Sequence, residues 1–363
     1  MGMVRVALAL AVLLSHLPLA TFKFLHGGLA VQAFFIVSGF YMALVLDGKY
    51  RDVGLFYSNR LLRLFPTYFL MMALSAVTLF VFNASATAAP DIVATIARDP
   101  ATASILIVEN LIMLGQEALF WFTLDPSGAL VFDATGAIPN ETTTLAWQGL
   151  LVPQAWSLSM ELMFYALVPF LDRLNWRWLV AIAAASIGLR LAGHLMDVNY
   201  GVWQGRFFPT ALFLFVLGML GYRTMPVVVR LPKAIGWVAA GALLIYIVGY
   251  AALPMPAEAS RWVTYAFVAG ATPWIFHAFA DISLDRWIGD LSYPIYLSQL
   301  IVVGLVLTFS PPFPMWTAII GTLGLSALSL VFVEHPIDRW RQRRYRDASA
   351  GKAIAVDTAP AIV

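Results

Sequence analysis

The chain has 363 residues, of which 61% are hydrophobic and only 12% charged, and its mean hydropathy is +0.81. A soluble domain carries about twice that fraction of charged residues, so the composition excludes a soluble globular protein and indicates a polytopic membrane protein. The absence of cysteine excludes disulfides, thiol catalysis and cysteine-ligated metals, and the formal net charge of +2 conceals a strong segregation of sign along the chain.

Ten apolar segments are each about 18–22 residues long, the length that a hydrocarbon core of about 30 Å requires. They begin near Met3, Gly28, Leu61, Pro153, Trp178, Phe207, Ala234, Trp262, Leu291 and Met315. A further segment, 102–122, is ambiguous because the carboxylates of Glu109 and Glu117 interrupt it. We predict an all-α membrane protein with a single integral-membrane domain, 1–346, and a disordered cytoplasmic tail, 347–363.

The distribution of basic residues decides whether the ambiguous segment crosses the membrane. If it does not cross, most of the 22 Lys and Arg residues lie on the same side as both termini, and that side is then cytoplasmic. If it crosses, every later loop changes side and only a minority remain there. We therefore expect about ten transmembrane helices, both termini in the cytoplasm, and a re-entrant or interfacial element near 102–122. The region around that element, 83–150, is acidic and contains Arg98 as its only basic residue.

The first span carries two groups that are costly to place in lipid, Arg5 and His16. The two residues are eleven positions apart, which is about three turns and about 16 Å along a helix, so both side chains lie on one stripe. A cleavable signal peptide is the alternative, but Pro18 disrupts the small-residue cleavage pattern and further spans follow. We expect the helix to be retained and to carry a functional site.

The loop after the second span is strongly basic. Arg60 and Arg63 lie three residues apart on one helical face just before Pro66. Positive-inside anchoring is one interpretation of this cluster and the preferred one for Arg51. For the pair, clamping of phosphates by two forked guanidinium groups is the more attractive interpretation.

The second span contains the small residues Ser38 and Gly39. Small residues in a membrane helix commonly allow close helix packing. The alternative is a backbone surface against which a ligand chain lies. The residue pattern leaves both interpretations open.

The fourth span carries a polar stripe on an otherwise apolar helix, because Ser157, Glu161 and Tyr165 fall at positions i, i+4 and i+8. An ionisable carboxylate inside a membrane span, such as that of Glu161, must be paired, protonated or facing a water-filled cavity. A structural ion pair with Arg206 or Arg190 is the alternative to a functional role for the carboxylate.

Taken together, these stretches resemble the membrane-bound acyltransferase family 3, which acylates sugars and other hydroxyl acceptors. The resemblance extends over nearly the whole chain and rests on the order and spacing of six motifs: Arg5 with His16, FFIVSGF at 34–40, Arg60 with Arg63 before Pro66, WSLSMELMFY at 156–165, LSYPIYL at 291–297 and EHP at 334–336.

The resemblance implies a ten-helix fold and transfer of an acyl group, with acetyl favoured, from coenzyme A to a hydroxyl. His16 is then the expected general base, since a neutral imidazole suits proton removal from an alcohol, and Glu161 either orients His16, stabilises its imidazolium or binds the acceptor. The residues expected to bind the acyl donor are Arg5, Arg60, Arg63, Ser38 and Gly39. Those expected at the acceptor or in the cavity are Trp156, Ser157, Tyr165 and Arg206. We expect no metal and no permanently bound cofactor, with acyl-CoA as co-substrate.

The chain departs from the family pattern in two ways. Gln299 stands where many members have a histidine, so we assign it no proton-transfer role. Many members also extend into an extracellular hydrolase-like domain, so we expect this chain to act without one or with a separate partner protein. The expected partners are a carbohydrate or other hydroxyl acceptor, acyl-CoA and the lipid bilayer, with no nucleic acid, and the expected location is a bacterial-type plasma (inner) membrane.

A proton-coupled transporter or flippase is the competing function, because ten spans and buried histidine and glutamate side chains suit proton relay equally well. Two features disfavour it: the cytoplasmic pair Arg60 and Arg63, and the lack of Gly- or Pro-broken helix pairs in two matching halves. Exported polysaccharide, lipid-linked sugar, periplasmic glucan, peptidoglycan and a macrolide-like product all remain possible acceptors.

Overall fold

The computed structural model describes residues 1–48, 52–87, 90–136, 144–196, 198 and 200–344. The protein is nearly all helical, which confirms the predicted all-α class. The predicted tail, 347–363, and Arg51 lie outside the described residues.

The α-helices in chain order are α1 (Gly2–His16), α2 (Gly27–Gly48), α3 (Val53–Phe82), α4 (Pro90–Ile96), α5 (Pro100–Ile112), α6 (Trp156–Leu171), α7 (Trp176–Leu195), α8 (Tyr200–Gly205), α9 (Phe208–Arg223), α10 (Met225–Val228), α11 (Ala234–Gly249), α12 (Ala257–Phe279), α13 (Ser283–Asp290), α14 (Ser292–Phe309) and α15 (Pro314–Ser329).

A helix lies at each of the ten predicted spans. Within the described ranges, six helical stretches are long and apolar enough to cross a membrane: 27–47, 53–82, 201–228, 234–252, 283–309 and 314–344. The protein is therefore a multi-pass membrane protein. Ten crossings, and a cytoplasmic location of both termini, stay predictions.

The long helix α3 carries the basic pair near its start. The Asp52 carboxylate accepts a hydrogen bond from the backbone N–H of Leu55 at 3.1 Å and so caps the first turn. At the other end, Asn83 adopts the left-handed conformation that commonly terminates a helix. The cap places Arg60 and Arg63 in the second and third turns of a helix about 45 Å long.

The core is built around α2, which packs against α1, α6, α9 and α12. Glycines let α2 and α9 approach to backbone contact: a Cβ atom on Gly39 would lie 1.9 Å from the Phe215 carbonyl oxygen. On the opposite helix, a Cβ atom on Gly218 would lie 1.9 Å from the Ile36 carbonyl oxygen. This close contact fixes the orientation of α2 and therefore the direction in which Ser38 points.

The segment predicted to be re-entrant or interfacial begins with α5, whose 13 residues span about 20 Å and are too few to cross the hydrocarbon core. Asp99 caps the helix by accepting from the Thr102 N–H, and Met113 ends it in the left-handed conformation. Two hydrogen bonds anchor the segment to the bundle: Tyr68 donates to the Asn110 carbonyl at 2.6 Å, and the Gly115 N–H donates to Ser159 at 2.8 Å.

A small antiparallel sheet follows this segment, and it is the one regular element that the all-α prediction omits. Its strands are β1 (Phe122–Leu124), β2 (Leu130–Phe132) and β3 (Thr144–Leu145), in the order β2-β1-β3. The register pairs Phe122 with Phe132 and Thr123 with Leu145. Strands of two or three residues are too short to produce a detectable alternation in the sequence.

Candidate functional site

A cavity of about 420 Å³ opens among α1, α2, α3, α6, α13 and α14. Its lining includes seven of the predicted site residues: Arg5, Ser38, Arg60, Arg63, Ser157, Glu161 and Tyr165. These residues come from four helices that are distant in the sequence, so the fold brings them together. The predicted site residues His16, Gly39, Trp156 and Arg206 do not line it.

The cavity carries an excess of positive charge. Five arginines line it against three carboxylates, those of Glu161, Asp285 and Asp290. Asp285 is already engaged, because its carboxylate accepts hydrogen bonds from the N–H groups of Gly2 at 2.8 Å and Met3 at 3.1 Å at the start of α1. Arg341 is paired with Asp338 at 3.1 Å, so the excess positive charge of the cavity comes from the other four arginines.

Arg5, Arg60 and Arg63 are not neutralised by ion pairs within the part of the chain that the structure describes. The Arg60 side chain is buried, its Nη1 atom lies 3.8 Å from the Met42 sulfur, and its guanidinium centre lies 5.7 Å from the Phe56 ring centroid. Its Nε atom is buried without a hydrogen-bond partner. Because a buried cation is costly unless it is paired, the buried Arg60 with the partly buried Arg5 and Arg63 on the same cavity wall favours an anion site.

Glu161 is held by hydroxyl groups. Its carboxylate accepts hydrogen bonds of 2.6 Å from both Ser38 and Tyr165. Arg190, one of its two predicted alternative partners, instead donates to the Gln204 carbonyl and to the Tyr265 hydroxyl. The geometry thus places Glu161 on the cavity wall with Ser38.

His16 lies at the end of α1, where its side chain is exposed and contacts Gln299. Gln299 sits one turn of α14 beyond Tyr296, to whose carbonyl it donates at 3.1 Å. The Tyr296 hydroxyl lies 2.7 Å from that of Ser157, and both residues line the cavity. A series of contacts through Ser157, Tyr296 and Gln299 therefore connects the cavity wall to His16.

Arg206 and Trp156 occupy the same end of the bundle as His16. The Arg206 guanidinium lies 5.1 Å from the Trp156 ring centroid and 4.1 Å from that of Phe120. It interacts electrostatically with both His16 and Tyr296. These two predicted acceptor residues thus belong with His16 and not with the arginine-lined cavity.

Gly39 lies at the contact of α2 with α9, which favours the packing interpretation of this residue.

Three tyrosines and two aspartates of the cavity lining were not predicted from the sequence: Tyr41, Tyr293, Tyr296, Asp285 and Asp290. The run of hydroxyl side chains at the start of α14 was the available signal for two of these tyrosines. Within the described residues, no group of three or more His, Asp or Glu side chains could hold a metal ion.

Residues 2–334 match the family model that describes an acyltransferase domain. The chain belongs to acyltransferase family 3. Two relatives cover most of this membrane acyltransferase. Nodulation protein 10 of Rhizobium leguminosarum bv. viciae is 25% identical over 342 residues, covering 88% of this chain and 84% of that protein. Exopolysaccharide production protein ExoZ of Rhizobium meliloti (strain 1021) is 25% identical over 347 residues, covering 91% and 96%. No solved structure matches the chain.

Family membership decides between the two functions that the sequence left open. An acyltransferase needs a donor site, an acceptor site and a group that removes the proton of the attacking hydroxyl. The chain has an arginine-lined cavity and, connected to it through Tyr296 and Gln299, an exposed histidine.

Proposed function

We propose that the protein is an integral-membrane O-acyltransferase that moves an acyl group, with acetyl favoured, from coenzyme A to a hydroxyl of a carbohydrate. The observation that carries the proposal is the cavity lined by three arginines that make no ion pair within the described residues. The cavity lining includes Tyr296, which lies one helical turn from Gln299, and Gln299 contacts His16.

Coenzyme A suits the cavity because its phosphates are anionic. The guanidinium groups of Arg5, Arg60 and Arg63 would bind phosphate oxygens, for which arginine's fork of N–H donors is well matched. On the predicted topology this part of the cavity faces the cytoplasm, where acyl-CoA is available. The apolar wall formed by residues such as Val31, Phe34 and Leu158 would accommodate the pantetheine arm and the acyl group.

His16 is the proposed general base. It would take the proton of the acceptor hydroxyl as that oxygen attacks the thioester carbonyl. The ester C–O bond forms, the C–S bond breaks, and the proton passes to the sulfur to give free coenzyme A. The thioester must pass Ser157 and Tyr296 to reach His16, so separation of their hydroxyl pair would open the path.

A polysaccharide acceptor is supported by one relative, since that protein is named for exopolysaccharide production. A multi-pass acyltransferase whose donor site faces the cytoplasm and whose histidine faces the other side suits the plasma (inner) membrane of a bacterium. In that location the acceptor would be a saccharide that is being exported to the cell surface or has reached it.

Replacement of His16 tests the assignment. The change His16→Ala should lower acyl transfer by about 10²- to 10⁴-fold, the range expected for loss of a general base. The measurement is transfer of labelled acetyl from acetyl-CoA to polysaccharide in membranes that contain the full chain. His277→Ala, in the last turn of α12, is the matched histidine control and should retain activity. Turnover at the wild-type rate in His16→Ala, at equal expression, would overturn the role of His16.

A further inference from the structure

Arg206 is held between two aromatic rings at the end of the bundle where His16 lies. Its guanidinium centre is 4.1 Å from the Phe120 centroid and 5.1 Å from the Trp156 centroid. Ring faces attract the cation but do not satisfy its N–H groups, which lie in the guanidinium plane. The side chain is therefore positioned by packing while its donors remain available.

Hydrogen bonding to these donors is sparse. Nη1 donates to the Gly201 carbonyl over 3.4 Å, and Nε is buried without a partner. No carboxylate lies within ion-pair distance of Arg206 in the described ranges. Arg190 shows the contrasting case, because its guanidinium donates to the Gln204 carbonyl and the Tyr265 hydroxyl.

Further aromatic side chains lie in the segments that carry Arg206 and its ring partner Phe120. Trp121, Trp203 and Phe207 form a cluster with ring centroids 5.0 to 6.3 Å apart, and Trp147 stacks on Phe120 at 5.2 Å. Each of these four residues is partly buried, so part of its surface remains accessible. Apolar faces of sugar rings pack well on aromatic rings of this kind.

We propose that Arg206 binds a negatively charged group of the acceptor, so that the acceptor is an acidic saccharide carrying a carboxylate or a phosphate. This inference rests on the proposed function, because it specifies the acceptor of that reaction. A carboxylate or phosphate would accept two parallel hydrogen bonds from the guanidinium, in the geometry that arginine favours. The sugar ring would lie on the aromatic cluster.

The position of Arg206 would bring a bound anionic group close to His16, the proposed general base. The guanidinium interacts electrostatically with His16 and with Tyr296. An acid group bound there brings a hydroxyl of the same or the next sugar toward the imidazole. It also places a negative charge near the group that becomes positive as it takes the proton, and such a charge stabilises the transition state.

Paired acceptors test the proposal in membranes that contain the full chain and acetyl-CoA. The probes are uronate-containing polysaccharides, the same polysaccharides after carboxyl reduction, and a phosphorylated oligosaccharide with its dephosphorylated form. We expect kcat/KM to be about ten- to a hundredfold higher for the charged member of a pair, the range of one charge-assisted hydrogen-bonded contact. Equal kcat/KM for both members would overturn this inference alone, whereas no ester on any probe would overturn the proposed function.

Variants of Arg206 then test whether this residue causes the higher kcat/KM for charged acceptors. Arg206→Gln should reduce the ratio of kcat/KM between the charged and the neutral acceptor of a pair to near one, mainly through a loss for the charged acceptor, and Arg206→Lys should keep part of that ratio. Arg98→Gln, an exposed arginine of the same end that donates to the Pro126 carbonyl, should keep all of it. Equal losses for charged and neutral acceptors in Arg206→Gln would contradict recognition of the anion.

Discussion

At the scale of single residues, the arginines of the cavity differ in what surrounds them. Arg60 is enclosed by Met42 and Phe56, whereas Arg63 lines both the main cavity and a second cavity of about 60 Å³ that contains Glu334 and Asp290. Arg63 is thus the member of the pair with acidic neighbours on one side and the proposed donor site on the other.

Removing the Arg63 charge should weaken donor binding. We expect Arg63→Gln to raise the KM for acetyl-CoA by about ten- to a hundredfold, because one charge-assisted hydrogen-bonded contact to phosphate is lost, with a smaller change in kcat. Steady-state kinetics at saturating acceptor measure the change. Arg173→Gln, an exposed arginine that follows α6, is the control. An unchanged KM in Arg63→Gln would remove Arg63 from the donor site.

Helical periodicity placed Arg5 and His16 on one stripe of the first helix, but in the structure Arg5 lines the cavity with Arg60 and Arg63, whereas His16 does not line it. Position on one helix determines the direction of a side chain. The depth of a cavity depends on side chains from other helices, here Ser157 of α6 and Tyr296 of α14. Those contacts have no local signature in the sequence.

At the scale of elements, the contact of α2 with α9 explains why Ser38 and Gly39 differ in role although they are adjacent. A helix turns about 100° per residue, so Ser38 reaches the cavity while Gly39 faces the backbone of α9. The sequence offered packing and ligand binding as alternatives for both residues, and only the neighbouring helix decides between them.

Adding a methyl group at Gly39 should separate these helices. Gly39→Ala places a carbon 1.9 Å from the Phe215 carbonyl oxygen, and we expect a loss of about 1–3 kcal/mol in the free energy of unfolding. Gly188→Ala in α7 is the matched control, because nothing lies within 4 Å of the added carbon. Thermal unfolding in detergent compares them. A Gly39→Ala protein of wild-type stability with weakened donor binding would support the ligand interpretation instead.

The α5 segment should make stability depend on pH. Burial, and secondarily the charge of Glu117, raise the pKa of Glu109 to about 7 from an ordinary value of 4.5. Between these values the folded protein binds more protons than the unfolded chain, so this group's contribution to stability falls as pH rises. Glu109→Gln should flatten the decrease in unfolding temperature between pH 5 and pH 8, whereas Asp91→Asn in α4 controls for loss of one charge. An unchanged decrease in Glu109→Gln would contradict the prediction.

At the scale of the whole molecule, composition and spacing predicted the helical class and the positions of the long helices, because about 20 apolar residues have few other stable arrangements in lipid. The sheet formed by β1, β2 and β3 was not predicted, since its pairings join short strands across loops. The aromatic surroundings of Arg206 were also missed, because Phe120 and Trp156 lie far from it in the sequence.

The position of His16 outside the arginine-lined cavity, to which Gln299 and Tyr296 connect it, has a consequence for transport. On the proposed function, coenzyme A enters and leaves at one face of the membrane, while the saccharide meets His16 from the other. Each turnover would then carry an acyl group across the hydrophobic barrier in the act of transferring it. The enzyme would need neither an acyl carrier on the far side nor an open channel, and the favourable free energy of exchanging a thioester for an ester would supply the direction.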